Sequence, residues 1–139
     1  GESSGGMAVR GHISGKDGIY AAALLVEMLA VTGKSVSELF AEITEQYGNP
    51  CWAEADFRMT PERKAELQDV LFVEKKVPEF GTAIDHVSLE DGCKVYFKDG
   101  SWVICRFSGT EPLLRMAAEA DEQAVADGYI KAFRDMLEL

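Results

Sequence analysis

The chain has 139 residues, 47% of them apolar, and a formal net charge of -10. An apolar share of that size excludes a disordered chain, and the negative charge disfavours a general nucleic-acid binder, whose affinity depends on clustered cations. A pocket for one small anion stays open, because a few local residues decide it.

Cys51, Cys93 and Cys105 show no CxxC spacing. This argues against a disulfide framework or a zinc site and for buried free thiols in a reducing cytoplasm. The richest apolar run, Ile19–Ala30, contains Glu27 and is too short to span a bilayer. No signal peptide is recognisable, so a cytoplasmic location and no membrane partner are expected.

Gly1–Lys16 is glycine-rich and polar and reads as an irregular loop. Because Gly1 falls inside that loop without an initiating Met, the chain reads as an excised fragment. Asp17 opens a helix whose stretch Ile19–Val31 is apolar on nearly every face and is expected to be buried on several sides, with Gly33 as its stop. Ser35 and Glu38 fit a capping box. The helix they start carries Val36, Leu39, Phe40 and Ile43 at amphipathic spacing and ends near Tyr47-Gly48. Asn49-Pro50 then marks a candidate boundary.

Beyond it, Cys51–Met59 has room for a short strand, and Thr60-Pro61 starts a helix to about Leu71. Phe72–Thr82 reads as connection. Strands are predicted over Ala83–Leu89, Lys94–Phe97 and Trp102–Phe107, separated by Asp91-Gly92 and Asp99-Gly100. Leu113–Ala120 alternates as a fourth strand. Asp121 is expected to cap a last helix with Val125, Tyr129, Ala132, Phe133, Met136 and Leu137 in one stripe.

The fold expected is α+β: over residues 50–139, a four-stranded antiparallel sheet with helices packed on one face. Residues 1–49 read as a two-helix remnant of an α/β domain without its sheet. Their apolar faces are expected to pack on the rest of the chain, to be partly disordered, or to self-associate through residues 17–47, which light scattering across concentration would detect.

Chemistry concentrates in Arg106-Phe-Ser-Gly-Thr-Glu-Pro-Leu-Leu-Arg115. Two arginines flank a turn and can converge on one point, with Ser108, Gly109 and Thr110 between them. Successive backbone N–H groups in such a turn form an anion nest, and guanidinium groups add bidentate bonds to phosphate. The alternative is a tight turn with Ser and Thr capping their own backbone and Arg106 paired to Glu111. Gly1–Gly6, GESSGG, suits sugar hydroxyls by its carboxylate and hydroxyls, but by itself it reads first as a linker. His86, Trp52 and Trp102 read as structural residues.

Taken together, GESSGG, RGHISGKDGIYAAALLVEMLA, GKSVSEL and RFSGTEPLLR resemble the α-D-phosphohexomutase superfamily, which includes phosphoglucomutases and phosphomannomutases. The resemblance spans the end of the family's third domain, a hinge near Tyr47–Cys51, and its fourth, TATA-box-binding-protein-like domain. It implies an intramolecular phosphotransferase that moves phosphate between O1 and O6 of a hexose through a phosphoserine and magnesium. Its partners would be a hexose phosphate and a hexose 1,6-bisphosphate. Glu2 and Ser4 would take ring hydroxyls, with Ser3 in place of the more usual second Glu. Lys16 matches a basic position near the reacting phosphate, a solvated charge being the alternative, and His12 lies by the same loop as contact or scaffold. Arg106, Ser108, Gly109, Thr110 and Arg115 would bind phosphate, with Glu111 ordering the loop.

Neither a TASHNP-like serine loop nor a DGDxDR-like metal loop occurs in the sequence. The chain alone is therefore expected to bind but not to catalyse, with no metal ligands of its own. A stand-alone phosphosugar-binding or interaction module, or part of an amino-sugar phosphomutase, are the alternatives.

Overall fold

In the computed structural model, which describes residues 1–2 and 5–139, the chain separates into two compact units, Gly1–Gly48 and Asn49–Leu139. In the first, a loop leads into α1 (Gly18–Thr32) and α2 (Val36–Tyr47). Asp17 caps α1 by accepting the Ile19 and Tyr20 N–H groups, both at 3.0 Å. Gly33 closes the helix in the left-handed region at φ 67°, where a residue without Cβ has no steric penalty. The Ser35/Glu38 capping box forms in both directions: Glu38 accepts from the Ser35 N–H at 2.8 Å, and Ser35 Oγ accepts from the Glu38 N–H at 3.3 Å.

Neither helix contains a buried residue. The expectation that Ile19–Val31 is buried on several sides is thus overturned, with Ile19 87% and Val31 80% exposed. The physical reason is that the described residues of this unit form no strand, so nothing in it covers an all-round apolar helix. Among the described residues no single helix is long and apolar enough to cross a membrane.

The second unit runs β1 (Cys51–Arg58), α3 (Pro61–Gln68), β2 (Ile84–Ser88), β3 (Cys93–Phe97), β4 (Trp102–Phe107), β5 (Leu113–Ala120) and α4 (Gln123–Met136). The sheet has five strands rather than the expected four, in the order β1-β5-β4-β3-β2 and antiparallel throughout. The added strand is β1, which pairs with β5 along its whole length from Cys51↔Ala120 to Arg58↔Leu113. Its inward residues Ala53, Ala55 and Phe57 alternate against outward Trp52, Glu54 and Asp56, but two alanines give little hydrophobic contrast to read. After α3 the chain makes a π-helical turn over Asp69–Val73, in which the Glu74 N–H donates to the Asp69 carbonyl at 2.9 Å. Asp121, expected to cap the last helix, does not: Glu122 holds that position, without a side-chain bond.

Both helices belong to one core on a single face of the sheet. Leu67 and Leu71 join Ala126, Tyr129, Ile130 and Phe133 over Val95, Val103, Met116 and Ala118. Phe80, from the segment read as mere connection, sits edge-on to Phe97, Tyr129 and Phe133 at 4.9, 5.6 and 5.6 Å between ring centres. The opposite face is open. There Trp52 meets Trp102 edge-on at 5.6 Å, and Lys94 Nζ lies 3.9 Å from the Trp102 ring centre.

Cys93 and Cys105 face each other across β3 and β4 as fully buried free thiols. Burial pushes Cys93 up to about 11 and raises Cys105 well above its ordinary value, so neither supplies thiolate near neutrality. In iodoacetamide labelling at pH 8 the folded chain should therefore modify at Cys51 alone, and at all three cysteines in denaturant. Rapid labelling of Cys105 without denaturant would contradict this burial.

Candidate functional site

The arginines that flank the second loop are placed by strand register. Arg106 on β4 lies directly opposite Arg115 on β5. Their neighbours Cys105 and Met116 point into the core, so alternation sends both guanidinium groups to the open face. Like charges directly opposed on a sheet repel, and an anion set between them would remove that cost. Arg106 does not pair with Glu111: its Nε lies 3.2 Å from Asp91 Oδ1, while Glu111 faces Arg58 at 3.8 Å.

Between the strands the loop closes where the Ser108 N–H donates to the Leu113 carbonyl at 2.8 Å. Ser108 Oγ turns onto its own loop, accepting from the Thr110 and Glu111 N–H groups at 3.4 and 3.3 Å. Local capping by serine is therefore real, and it shapes the turn in which Gly109 and Thr110 stand exposed. A depression of about 410 Å³ beside the loop is bounded by Gln68, Phe72, Asp91, Gly92, Arg106 and Gly109. Sequence reading missed Lys64. From α3 its ammonium donates to the Ser108 carbonyl at 2.6 Å and the Glu111 carbonyl at 3.3 Å. A lysine in the first turn of a helix carries no signal of such a long-range contact.

In the first unit, Ser3 and Ser4 lie outside the described residues. Glu2 donates its N–H to the Gly6 carbonyl and accepts the Gly5 N–H at its own carbonyl, both at 2.9 Å, and its carboxylate pairs with Lys16. A Cβ at Gly6 would lie 2.8 Å from Lys16 Cδ, so the glycine gives the lysine stem room to reach Glu2. His12 acts locally: its Nε2 is 2.8 Å from Asp17 Oδ2, and its ring stacks on Tyr20 at 4.0 Å. A depression of about 490 Å³ on this loop is lined by residues 8–16, including Arg10, which the sequence reading passed over.

The His12 hydrogen bond, followed by the Tyr20 N–H, holds the Asp17 carboxyl below its ordinary value of 3.8. A depressed carboxyl contributes stability that is complete above the unfolded value and lost as pH falls through the folded one. His12→Ala should accordingly move the Asp17 midpoint upward in an NMR titration; an unchanged midpoint would dismiss the contact. Among the described residues no group of three or more His, Cys, Asp or Glu side chains could hold a metal ion.

Comparison with known proteins bears on both units. Residues 1–47 match the family model described as phosphoglucomutase/phosphomannomutase, alpha/beta/alpha domain III. Residues 54–136 match that for the phosphoglucomutase/phosphomannomutase C-terminal domain. Over 99% of its length the chain is 36% identical to a phosphoglucomutase/phosphomannomutase of Thermococcus kodakarensis, of which it covers 28%. Over the same share it is 31% identical to a phosphoglucosamine/phosphogalactosamine mutase of Sulfurisphaera tokodaii, again covering 28%. The crystal structure of a provisionally assigned phosphomannomutase from Thermus thermophilus superposes on the whole chain with a TM-score of 0.68 at 27% identity, the chain covering 26% of it. The chain thus spans little more than a quarter of the length of these relatives.

Proposed function

Because the chain belongs to the phosphoglucomutase/phosphomannomutase family, we propose that it binds and positions a hexose phosphate during transfer of phosphate between O1 and O6. Arg106, Arg115, Ser108, Gly109 and Thr110 grip a phosphate group, and Glu2, Ser4, Lys16 and His12 serve the sugar side. The observation that carries the reading is the placement of Arg106 opposite Arg115 at the mouth of a tight, glycine-containing turn. Two guanidinium groups carried by directly opposed residues suit the several oxygens of one phosphate dianion.

Phosphoryl transfer needs an in-line nucleophile and cations over the transferred oxygens. Residues 1–139 are assigned the clamping step alone. In the whole enzyme, magnesium would neutralise charge on the transferred group, on ligands other than the residues described. Turning the bisphosphorylated intermediate end for end would let one loop grip the O6 and then the O1 phosphate.

Calorimetric titration of the 139-residue chain with glucose 1,6-bisphosphate should show saturable, salt-sensitive binding, without magnesium-dependent conversion of glucose 1-phosphate. Absence of binding would refute the clamp, and turnover would refute its restriction to binding. A second reading, an amino-sugar substrate, is favoured by the amino-sugar mutase among the relatives. Tighter binding of glucosamine 1-phosphate than of glucose 1-phosphate would select it.

A further inference from the structure

We infer that Lys64 is the positioning residue of the phosphate loop: by holding the Ser108 carbonyl, it aims the Gly109 N–H at the bound anion. The inference rests on the phosphate reading of this loop and goes beyond it by assigning the orientation of one peptide to a residue on another element.

The argument starts from the planar peptide. No peptide bond among the described residues is cis, so in the Ser108–Gly109 peptide the C=O and N–H point in opposite directions. Lys64 Nζ donates to the Ser108 carbonyl at 2.6 Å and fixes which way that carbonyl faces. The Gly109 N–H must then face away from the ammonium. The neighbouring Thr110 and Glu111 N–H groups already serve Ser108 Oγ. Gly109 N–H makes no hydrogen bond among the described residues. A donor held away from Lys64 in an exposed turn needs an anion or water to satisfy it.

Lys64 is itself well placed to set this geometry. It is half-buried, and the first turn of α3 that carries it is fixed at both ends. Thr60 Oγ1 accepts the Arg63 N–H at 3.2 Å, and Leu67 sits in the core at 2% exposure. One residue before Thr60, the Met59 N–H donates to the Pro112 carbonyl at 3.0 Å, tying the start of the helix to the exit of the loop. The second bond, to the Glu111 carbonyl at 3.3 Å, makes Lys64 a bridge across the loop base. A flexible surface lysine would order nothing; this one spans two carbonyls three residues apart. Its charge also remains close to the loop, which adds attraction for an anion without touching it.

The test is a titration of the 15N-labelled 139-residue chain with inorganic phosphate, comparing wild type with Lys64→Met, which keeps the stem and removes the ammonium. In wild type the Gly109 amide proton should show the largest downfield movement on saturation. In K64M the dissociation constant should rise about tenfold, and the Gly109 movement should vanish while Arg106 and Arg115 remain. Weakened binding with the Gly109 movement intact would leave only a charge effect and overturn the inference, as would unchanged affinity. Should K64M not fold, the wild-type spectra decide: movement centred on Thr110 and Glu111, with Gly109 still, overturns it. Lack of any phosphate binding by wild type would instead remove the phosphate reading and take this inference with it.

Discussion

Arg115→Ala should weaken binding of glucose 1,6-bisphosphate by about 1.5–3 kcal/mol, the range for hydrogen bonds to a charged group, while changing the stability of the chain little. The two halves of this expectation come from the same geometry. Arg115 is exposed on the open face, opposite Arg106 on β4 and opposite Asp56 on β1. Removing it relieves repulsion from Arg106 and gives up attraction to Asp56, two opposing effects of about 0.2–1 kcal/mol each that nearly cancel. A structural arginine would show the reverse pattern, with lost stability and unchanged binding.

Arg106→Ala should weaken binding in the same range, and its stability effect should likewise be near zero, because its Nε faces Asp91 at 3.2 Å in an exposed pair of small worth. Calorimetric titration together with urea unfolding separates these cases. If both variants bind as well as wild type, the cradle is wrong. The Asp91 contact adds a competition within the site: Arg106 must share its guanidinium between carboxylate and phosphate.

How much of this could be read from residues alone depends on how local each feature is. The capping box at Ser35 and the turns at Asp91-Gly92 and Asp99-Gly100 were legible because their causes lie within four residues. The full length of β1 was not, because its inward alanines resemble neither a strand nor a loop by hydrophobic contrast. Phe80 escaped for a related reason. It lies in a segment without regular structure and acquires its role only from Phe97, Tyr129 and Phe133.

α1 shows the opposite failure. Its residues demand burial, and the first unit offers none among the described residues, so composition overstated what the surroundings supply. In the loop, the sequence placed the two arginines on flanking strands where they can converge, and register sets their backbones opposite one another. Serine capping and an Arg106–Glu111 pair stood as a joint alternative. Only the first half of that alternative forms, since register brings Asp91, not Glu111, to Arg106. Lys64 depends on a contact across 44 residues of chain, which no spacing rule reaches.

Gly92→Ala should be more damaging still, costing about 2–6 kcal/mol of stability and some of the phosphate affinity with it. Gly92 adopts φ +120°, where an L side chain is strained, and a Cβ there would lie 2.6 Å from the Cys105 carbonyl oxygen and 3.3 Å from Arg106 Cα. The conformational part is about 1–3 kcal/mol, and forcing atoms into a packed site adds about 1–3 kcal/mol. The neighbours cannot yield cheaply. They are backbone atoms of β4, which is held by Cys105 in the core at 0% exposure and by pairing with both β3 and β5. Any relief must displace Arg106, which is how a turn substitution reaches the loop. Gly100→Ala supplies the control: φ is +92° there, but nothing lies within 4 Å of a Cβ, so only the conformational part applies, about 1–3 kcal/mol. Urea midpoints of the two variants, read beside bisphosphate titrations, should differ by the clash. Equal midpoints would mean that β4 does not press on Gly92 as described, and normal affinity in Gly92→Ala would uncouple that turn from Arg106.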